Sequence, residues 1–525
     1  MNSNEDEIVS SQDQEKIENL GDYPVFGRYS IFVLILSEFL ILSQMSNFTF
    51  MVYGGLSPVI HSCGDHNFDQ LDKVQICPLF EEIQQNESCV VNKTIQFNSI
   101  ANEFNYFCAS NHKVKNSISI QMMGVLVGAI VFGQLSDLFG RRKIMIICST
   151  GMMIFGLLAS FSESLINFTL FQFGTLVFAG GSNSISNVYV LENLPKKHRA
   201  WAILMISFSP NYIIVAIIAY FAGDWRILLR IFATINIGTI VLLLLAHESP
   251  RWLVQHGNLK KAKETYEKIE KLNNTITPER QIILDFLIKK EVTAMEEEKK
   301  KSKKYYYYHL FYTWKMIRYT AVLSFSLYCT AMITYALMFD MEQLSGSIYI
   351  NNILLGLFRY TVNILFSYID YKFPSIGRKF IQKWSLISVI LSMTVVFVIK
   401  ILGLHYPKVI TFCMLNSAAM TSQLFIVAIV VTGELFPTPV RNIAASFQQI
   451  FTRSGAILSP HVFWLTSSIW YPAPYLFMGL IMFINLVLFE IFIPESKGTP
   501  MSDHMPPKKE SIFAKRYESE NQNLA

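Results

Sequence analysis

The sequence predicts an all-α membrane protein whose twelve transmembrane helices form two pseudo-symmetric halves of six. Of its 525 residues, 52% are hydrophobic and only 16% are charged, a balance that soluble proteins of this size do not have. Apolar stretches of about 20 residues, the length that crosses a hydrocarbon core of roughly 30 Å, recur along the chain. We place the helices roughly at 29–51, 118–136, 143–161, 166–191, 200–221, 227–246, 318–339, 348–369, 380–402, 407–432, 443–466 and 473–493.

Lysine and arginine in the connections predict the orientation. Alternate connections are basic, for example 141–143 and 260–304, whereas 162–165 and 340–347 contain neither residue. Basic loops stay in the cytoplasm, so both termini should be cytoplasmic. The net charge of +5 follows from this asymmetry and indicates no nucleic-acid partner. The predicted domains are a tail at 1–28, a first half at 29–253 with an external loop at 53–117, a central loop at 254–316 that contains two short amphipathic helices, a second half at 317–494 and a tail at 495–525.

The external loop concentrates cysteines and glycosylation sequons. Two disulfides with three possible pairings are expected there, since the loop faces an oxidising compartment. Asn86 and Asn92 each begin an Asn-X-Ser/Thr sequon in this loop and are predicted to be glycosylated, whereas Asn273 begins a sequon on the cytoplasmic side. The four cysteines are Cys63, Cys77, Cys89 and Cys108.

An internal repeat supports the division into halves. The pattern E-x-x-P-x-x-x-R follows the fourth predicted helix, from Glu192 to Arg199, and the tenth, from Glu434 to Arg441. A Glu-Ser pair likewise follows the sixth and the twelfth helices. Two related halves that rock about a site between them are a common organisation for transporters that work by alternating access. The two pairs are Glu248-Ser249 and Glu495-Ser496.

The connection between the second and third helices reads G-x-x-x-D-x-x-G-R-R-K from Gly133 to Lys143. This pattern resembles the corresponding loop of the major facilitator superfamily. Other segments resemble the organic cation, anion and zwitterion transporter family within it, and the resemblance covers about residues 24 to 500. It implies the twelve-helix fold, residence in the plasma membrane and polyspecific transport of small organic ions. Those segments are Asp224-Trp225-Arg226, Glu248 to Leu253, Gly433 to Asn442 and Pro494 to Gly498.

Two positions depart from the family pattern. Gln172 stands in the fourth helix where the family usually has arginine. In the second half, six residues rather than two separate Asp370 from Gly377, so the counterpart of the Gly133 to Lys143 motif is irregular.

The charged loops supply candidate gating residues. Ion pairs there should form in one conformation and separate in the other, which would bias the two states by a few kcal/mol. Asp137 and Arg141 are expected to form the latch of the opening motif. The full set is Asp137, Gly140, Arg141, Arg142, Glu192, Arg199, Glu248, Arg251, Glu434 and Arg441.

Charged residues inside the helices are candidates for substrate binding, because a charge at membrane depth usually faces a cavity. The candidates are Glu38, Arg359 and Arg453. By resemblance, cation-selective relatives have acids at the two arginine positions, and anion-selective relatives have arginine at the second. These residues favour an organic anion or zwitterion, with an organic cation as the alternative. Glu38 would hold the cationic end of a zwitterion or neutralise an arginine.

Neutral residues complete the candidate substrate site. Tyr335, Phe447 and Gln448 are predicted to line the cavity, where aromatic rings bury apolar surface and stack on cations. Asn363 takes the position at which anion transporters often have lysine.

Enzymatic and metal-binding motifs do not occur in the sequence. We expect no cofactor, no metal and no ATP hydrolysis, and therefore transport driven by gradients or exchange in a functional monomer. A different class of function is a transporter-like membrane protein that no longer transports and acts as a sensor or interaction partner. Gln172 and the irregular 370–379 segment support this alternative, whereas the intact first motif and both repeats oppose it.

Overall fold

The computed structural model describes residues 20, 23–68, 73–86, 89–195, 198–199, 207–301, 306–373, 376–497 and 505–506. These residues form seventeen α-helices and three short strands, and twelve of the helices match the predicted transmembrane segments in order. In chain order the elements are α1 Arg28–Gly54, β1 Val59–Cys63, β2 His66–Asn67, α2 Lys73–Asn86, β3 Val91–Thr94, α3 Ile100–Glu103, α4 His112–Phe139, α5 Arg141–Ser160, α6 Leu165–Asn193, α7 Phe208–Ala222, α8 Trp225–Leu245, α9 Pro250–Gln255, α10 Leu259–Asn273, α11 Pro278–Lys301, α12 Trp314–Phe339, α13 Ile348–Lys372, α14 Arg378–Ile401, α15 Pro407–Leu435, α16 Thr438–Ile469 and α17 Ala473–Phe492.

Ten of these twelve helices are long and apolar enough, over the described residues, to cross a membrane. The other two are α7, of which 15 residues are described, and α16. The predicted start of α7 at residue 200 lies outside the described residues. Helix α16 is 32 residues long but carries Arg441 and Arg453. The predicted all-α membrane fold is confirmed.

Side-chain caps explain where several helices begin. The Ser164 hydroxyl accepts from the backbone nitrogen of Asn167 at the start of α6. The Asp224 carboxylate accepts from the backbone nitrogens of Arg226 and Ile227 at the start of α8. Such caps give a hydrogen-bond acceptor to backbone amides that have no partner within the helix. Leaving these amides unpaired is costly near a membrane.

The two halves meet along the helix pairs α4–α16 and α7–α13. The Ser119 hydroxyl of α4 donates to the Ile457 carbonyl of α16 at 2.7 Å. The Asn363 amide of α13 donates to the Ser209 hydroxyl of α7 at 3.3 Å. Polar contacts between helices stabilise association where lipid offers no hydrophobic driving force.

The loop between α1 and α4 folds into a small disulfide-linked extension. The strands form an antiparallel sheet in the order β2-β1-β3. Disulfides join Cys63 to Cys89 and Cys77 to Cys108, which confirms two bridges and selects one of the three pairings. We call the end of the bundle that carries this extension the external end, and the opposite end the cytoplasmic end, following the predicted orientation.

A second small core lies at the cytoplasmic end. Helices α9, α10 and α11 bury apolar side chains against the segment that precedes α1. The Tyr23 hydroxyl donates to Glu270 Oε1 at 2.6 Å, and the Arg280 guanidinium lies 4.7 Å from the Tyr23 ring centroid. Burial and the Glu270 carboxylate raise the pKa of Tyr23, so its hydroxyl keeps its proton. Of the two short amphipathic helices expected in the central loop, α10 is amphipathic, whereas α11 is 24 residues long and has no continuous apolar face. The loop also anchors the N-terminal segment.

Candidate substrate site and gates

The candidate latch of the first half is an ion-pair network at the end of α4. The Arg141 guanidinium contacts the Asp137 carboxylate and donates to the Ser136 hydroxyl at 3.1 Å. It also lies 3.5 Å from Glu192 Oε1 at the end of α6. Asp137 is mostly exposed, whereas Glu192 is mostly buried. Arg141 thus joins the cytoplasmic ends of two helices through charge.

Glu248 holds the beginning of α5. Its carboxylate accepts from the backbone nitrogens of Arg142 at 3.0 Å and Ser249 at 3.1 Å. Gly140 has a φ of 110°, and a Cβ there would lie 2.5 Å from Glu248 Oε2. The glycine is therefore required both by the backbone and by the approach of the carboxylate.

The second half repeats the latch despite its irregular sequence. The Arg378 guanidinium contacts the Asp370 carboxylate and lies 3.5 Å from Glu434 Oε1. Lys497 Nζ adds a contact with Asp370 Oδ1 at 3.0 Å, and the Ser496 hydroxyl donates to Glu434 Oε2 at 2.6 Å. Glu434 occupies the place of Glu192, and Asp370 that of Asp137.

Glu495 reproduces the role of Glu248. Its carboxylate accepts from the backbone nitrogens of Arg378 at 2.8 Å and Lys379 at 3.1 Å. A Cβ on Gly377 would lie 1.9 Å from Glu495 Oε2. The second motif thus keeps the contacts of the first despite its irregular spacing, because the additional residues lie between the end of α13 at Lys372 and Gly377. The interpretation of this segment as a degenerate motif is corrected by this geometry.

The arginines of the two repeats end their helices in the same way. Arg199 Nε donates to the Leu194 carbonyl at 3.0 Å, and Arg441 Nε donates to the Phe436 carbonyl at 3.3 Å. Each carbonyl belongs to the residue that follows the last residue of α6 or α15 and precedes the proline. Arg251 is exposed on α9. The described contacts of Arg199 and Arg441 therefore support the chain at helix ends.

A buried lysine joins the halves at the external end. Lys115 Nζ lies 3.6 Å from Asp340 Oδ1 and 3.7 Å from Glu342 Oε1, and it donates to the Phe339 carbonyl at 3.3 Å. Glu342 Oε2 accepts from the backbone nitrogen of Ser57 at 2.8 Å. The candidate gating residues do not include this cluster, because no spacing in the sequence relates a lysine in α4 to acids after α12.

The three candidate charges inside the helices lie near the junction of the halves. Glu38 Oε1 accepts from the Asn211 amide at 3.0 Å. The Arg359 guanidinium, on α13, lies 5.3 Å from the Tyr212 ring centroid on α7 and donates to the Ala418 carbonyl at 3.2 Å. Arg453, on α16, lies 6.0 Å from the Phe48 ring centroid on α1. The Nε atoms of both arginines are buried and have no hydrogen-bond partner in the described part of the chain.

The four neutral candidates for substrate binding make different contacts. Asn363 Oδ1 accepts from the Gln423 amide at 2.6 Å, one turn along α13 from Arg359. Tyr335 is partly buried and stacks on Phe339. Phe447 instead packs against Tyr307 and Phe311, which precede α12 at the cytoplasmic end. The remaining candidate, Gln448, is buried and accepts from the Thr432 hydroxyl at 2.7 Å.

A family profile described as "Sugar (and other) transporter" matches residues 47–504 of the chain. The chain belongs to this family. It is 29% identical over 436 residues to the organic cation/carnitine transporter 2 of Homo sapiens, a match that covers 80% of this chain and 74% of the relative. It is 28% identical over 445 residues to solute carrier family 22 member 4 of Mus musculus, with coverage of 81% and 75%.

Solved structures of the major facilitator superfamily share the fold. A proton:xylose symporter XylE bound to 6-bromo-6-deoxy-D-glucose superposes with a TM-score of 0.62 at 15% identity, covering 90% of this chain and 98% of that chain. The inward open conformation of XylE from E. coli gives 0.61 at 16% identity, with coverage of 89% and 97%. The resemblance to the organic ion transporters of the superfamily is confirmed, and the protein is a multi-pass membrane protein.

Gln172 is one of the two departures from the family pattern, and its surroundings in the structure are unusual. Its side chain is fully buried in α6, and neither its amide nitrogen nor its amide oxygen has a hydrogen-bond partner among the residues that the structure describes. An unsatisfied buried amide costs about 1–3 kcal/mol. Three further residues around the candidate charges, Asn211, Tyr212 and Gln423, were not predicted, because uncharged side chains in apolar helices give no signal of their own.

Proposed function

We propose that the chain is a secondary transporter of small organic zwitterions or anions that works by alternating access. The observation that carries this proposal is the location of Arg359 and Arg453 and their lack of an ion-pair partner among the described residues. Both lie where helices of the two halves meet, and no described residue forms an ion pair with either. A charge at membrane depth without a partner is costly, so a ligand that supplies the partner binds favourably.

The chemistry of these residues favours a carboxylate. A guanidinium presents a planar set of donors that matches a carboxylate with two parallel hydrogen bonds. Glu38 has the opposite sign, and its hydrogen-bond partner among the described residues is the neutral amide of Asn211. A zwitterion such as carnitine, which appears in the name of a relative, carries both a carboxylate and a quaternary ammonium group.

The contacts at the two ends support alternating access. Lys115 joins α4 to the acids after α12 at the external end, so this cluster must separate for the external side to open. The Arg141 and Arg378 networks occupy equivalent places at the cytoplasmic ends of the two halves. Two related halves with matched networks are the organisation expected of a rocking transporter.

Uptake by cells that express the full chain tests the proposal. The substrates are labelled L-carnitine, benzoate and tetraethylammonium, and surface biotinylation measures the protein at the membrane. We expect uptake of carnitine or benzoate above mock-transfected cells and little uptake of tetraethylammonium. Uptake of tetraethylammonium alone would favour the organic cation alternative. Flat uptake of all three at normal surface abundance would favour a non-transporting sensor.

A further inference from the structure

A basic cavity of about 350 Å³ lies at the cytoplasmic end of the first half, between the start of α5, the segment after α8 and helix α10. Its lining includes Arg142 and Lys143 from α5 and Lys261 and Lys268 from α10. Two acids, Glu248 and Glu264, also line it. The gating role proposed for Glu248 accounts for one acid but leaves the lysines unexplained.

The charges around this cavity are unbalanced. Four fixed cations face two carboxylates, and Glu248 is already occupied by two backbone amides. No described residue forms an ion pair with Lys143, Lys261 or Lys268. Burial and the positive charges of Lys268 and Arg142 lower the pKa of His247, another lining residue. The cavity therefore offers a positive potential to an anion.

The cavity lies beside the cytoplasmic end of α8, a helix long and apolar enough to cross a membrane. The Arg142 guanidinium donates to the carbonyls of Leu243 and Leu244 at 2.8 Å each, so it lies at the level of the last turn of α8. On that turn Leu244 is 58% exposed and Leu245 is 64% exposed, and Val241 one turn earlier is 51% exposed. Apolar side chains that no described residue covers at this level face the acyl chains of the adjacent leaflet.

We propose that this basic cavity binds the phosphate-bearing headgroup of an acidic phospholipid from the cytoplasmic leaflet. Basic cavities next to transmembrane helices on this side suit such headgroups, and each lysine near the membrane surface adds to the attraction. The same phosphate chemistry exists in free phosphorylated compounds. The exposed leucines of α8 favour the lipid, because they give the acyl chains an apolar surface that a soluble phosphate does not use.

Binding to the purified full chain tests the proposal. The protein is placed in nanodiscs of phosphatidylcholine with or without phosphatidylinositol 4,5-bisphosphate, and lipid retention is measured by native mass spectrometry. The test variant combines Lys143→Gln, Lys261→Gln and Lys268→Gln, none of which belongs to the proposed gates. The matched control combines Lys260→Gln, Lys271→Gln and Lys289→Gln, which remove the same charge from exposed positions outside the cavity.

We expect the test variant to lose roughly 100-fold in affinity for the phosphoinositide, while the control stays close to wild type. Equal losses in both variants would overturn the cavity as the site. Soluble inositol trisphosphate and inorganic phosphate form the second arm of the experiment. If either binds as tightly as the lipid and loses affinity in the same variant, the lipid source is overturned and a free phosphorylated ligand replaces it.

Discussion

The Glu495 carboxylate accepts a hydrogen bond of 2.8 Å from the backbone nitrogen of Arg378, which lies 117 residues earlier in the sequence. Glu248 holds Arg142 in the same way across 106 residues, at 3.0 Å. In each half, a glutamate that follows the last helix thus fixes the start of the third. A glycine immediately before two consecutive basic residues makes room for the carboxylate in each half, at Gly140 and Gly377.

Replacing Gly377 with alanine should therefore destabilise the second half. The new Cβ would lie 1.9 Å from Glu495 Oε2, so either the carboxylate or the start of α14 must move. We expect a cost of about 1–3 kcal/mol, measured as a lower thermal unfolding temperature of the purified protein. The matched control is Gly433→Ala, at which a Cβ meets nothing within 4 Å. An unchanged unfolding temperature for Gly377→Ala would mean that Glu495 does not support α14.

Asp137→Asn should slow transport while leaving surface expression near normal. The Asp137 side chain is 66% exposed, so its pair with Arg141 adds less than about 1 kcal/mol to stability. Its predicted role lies instead in the rearrangement of the gate, and we expect initial uptake rates to fall about ten-fold. Asp370→Asn should also lower the unfolding temperature, because Asp370 contacts both Arg378 and Lys497. Wild-type turnover in Asp137→Asn would leave only a role in anchoring the helix.

Lys115→Met should open the external end. It leaves Asp340 and Glu342 without their lysine, and breaking a buried pair typically costs about 3–5 kcal/mol. We expect a cysteine introduced at the buried Met341 to react about ten-fold faster with a membrane-impermeant maleimide.

Lys113→Met on the same helix is the matched control for this experiment, because Lys113 is exposed. Equal labelling rates for Lys115→Met and Lys113→Met would show that the cluster does not close the external end.

Arg453→Asp should reduce uptake of anions and zwitterions by about ten-fold or more, because a charge-assisted contact contributes roughly 1.5–3 kcal/mol. Uptake by Arg453→Lys should lie between that of Arg453→Asp and that of wild type, since lysine keeps the charge but lacks the planar guanidinium. Glu38→Gln separates the substrate classes: carnitine uptake should fall, and benzoate uptake should not. Surface abundance is measured alongside uptake. A well-expressed Arg453→Asp protein with unaltered uptake would rule out a substrate contact.

Tags at both termini and within 254–316 should be accessible only after permeabilisation of the cell. Asn92 is exposed on β3, in the disulfide-linked extension. Removing Asn86 and Asn92 together should abolish the mobility shift caused by an endoglycosidase, and removing Asn273 should not change it. A shift that persists in the double variant would contradict either the sequons or the orientation of the loop.

The parts of the fold that could be predicted from sequence follow from local composition. Apolar segments marked the helices because each must satisfy its own backbone within the membrane. Arg378 shows where this approach failed, since counting residues from Asp370 suggested a broken motif while the two side chains meet in space. Lys115 shows a second limit, because its acidic partners lie about 225 positions away on the other half. Asn211 shows a third, since its role depends entirely on its neighbour Glu38.

The contact between Tyr23 and the central helices has a consequence for synthesis of the protein. Tyr23 and its partner Glu270 are separated by 247 residues, and Arg280, which also binds the Tyr23 carbonyl, comes later still. During translation the N-terminal segment therefore lacks its contacts with Glu270 and Arg280 while the six helices of the first half are synthesised. The contacts of Tyr23 with Glu270 and Arg280 can therefore form only after the whole first half has been synthesised.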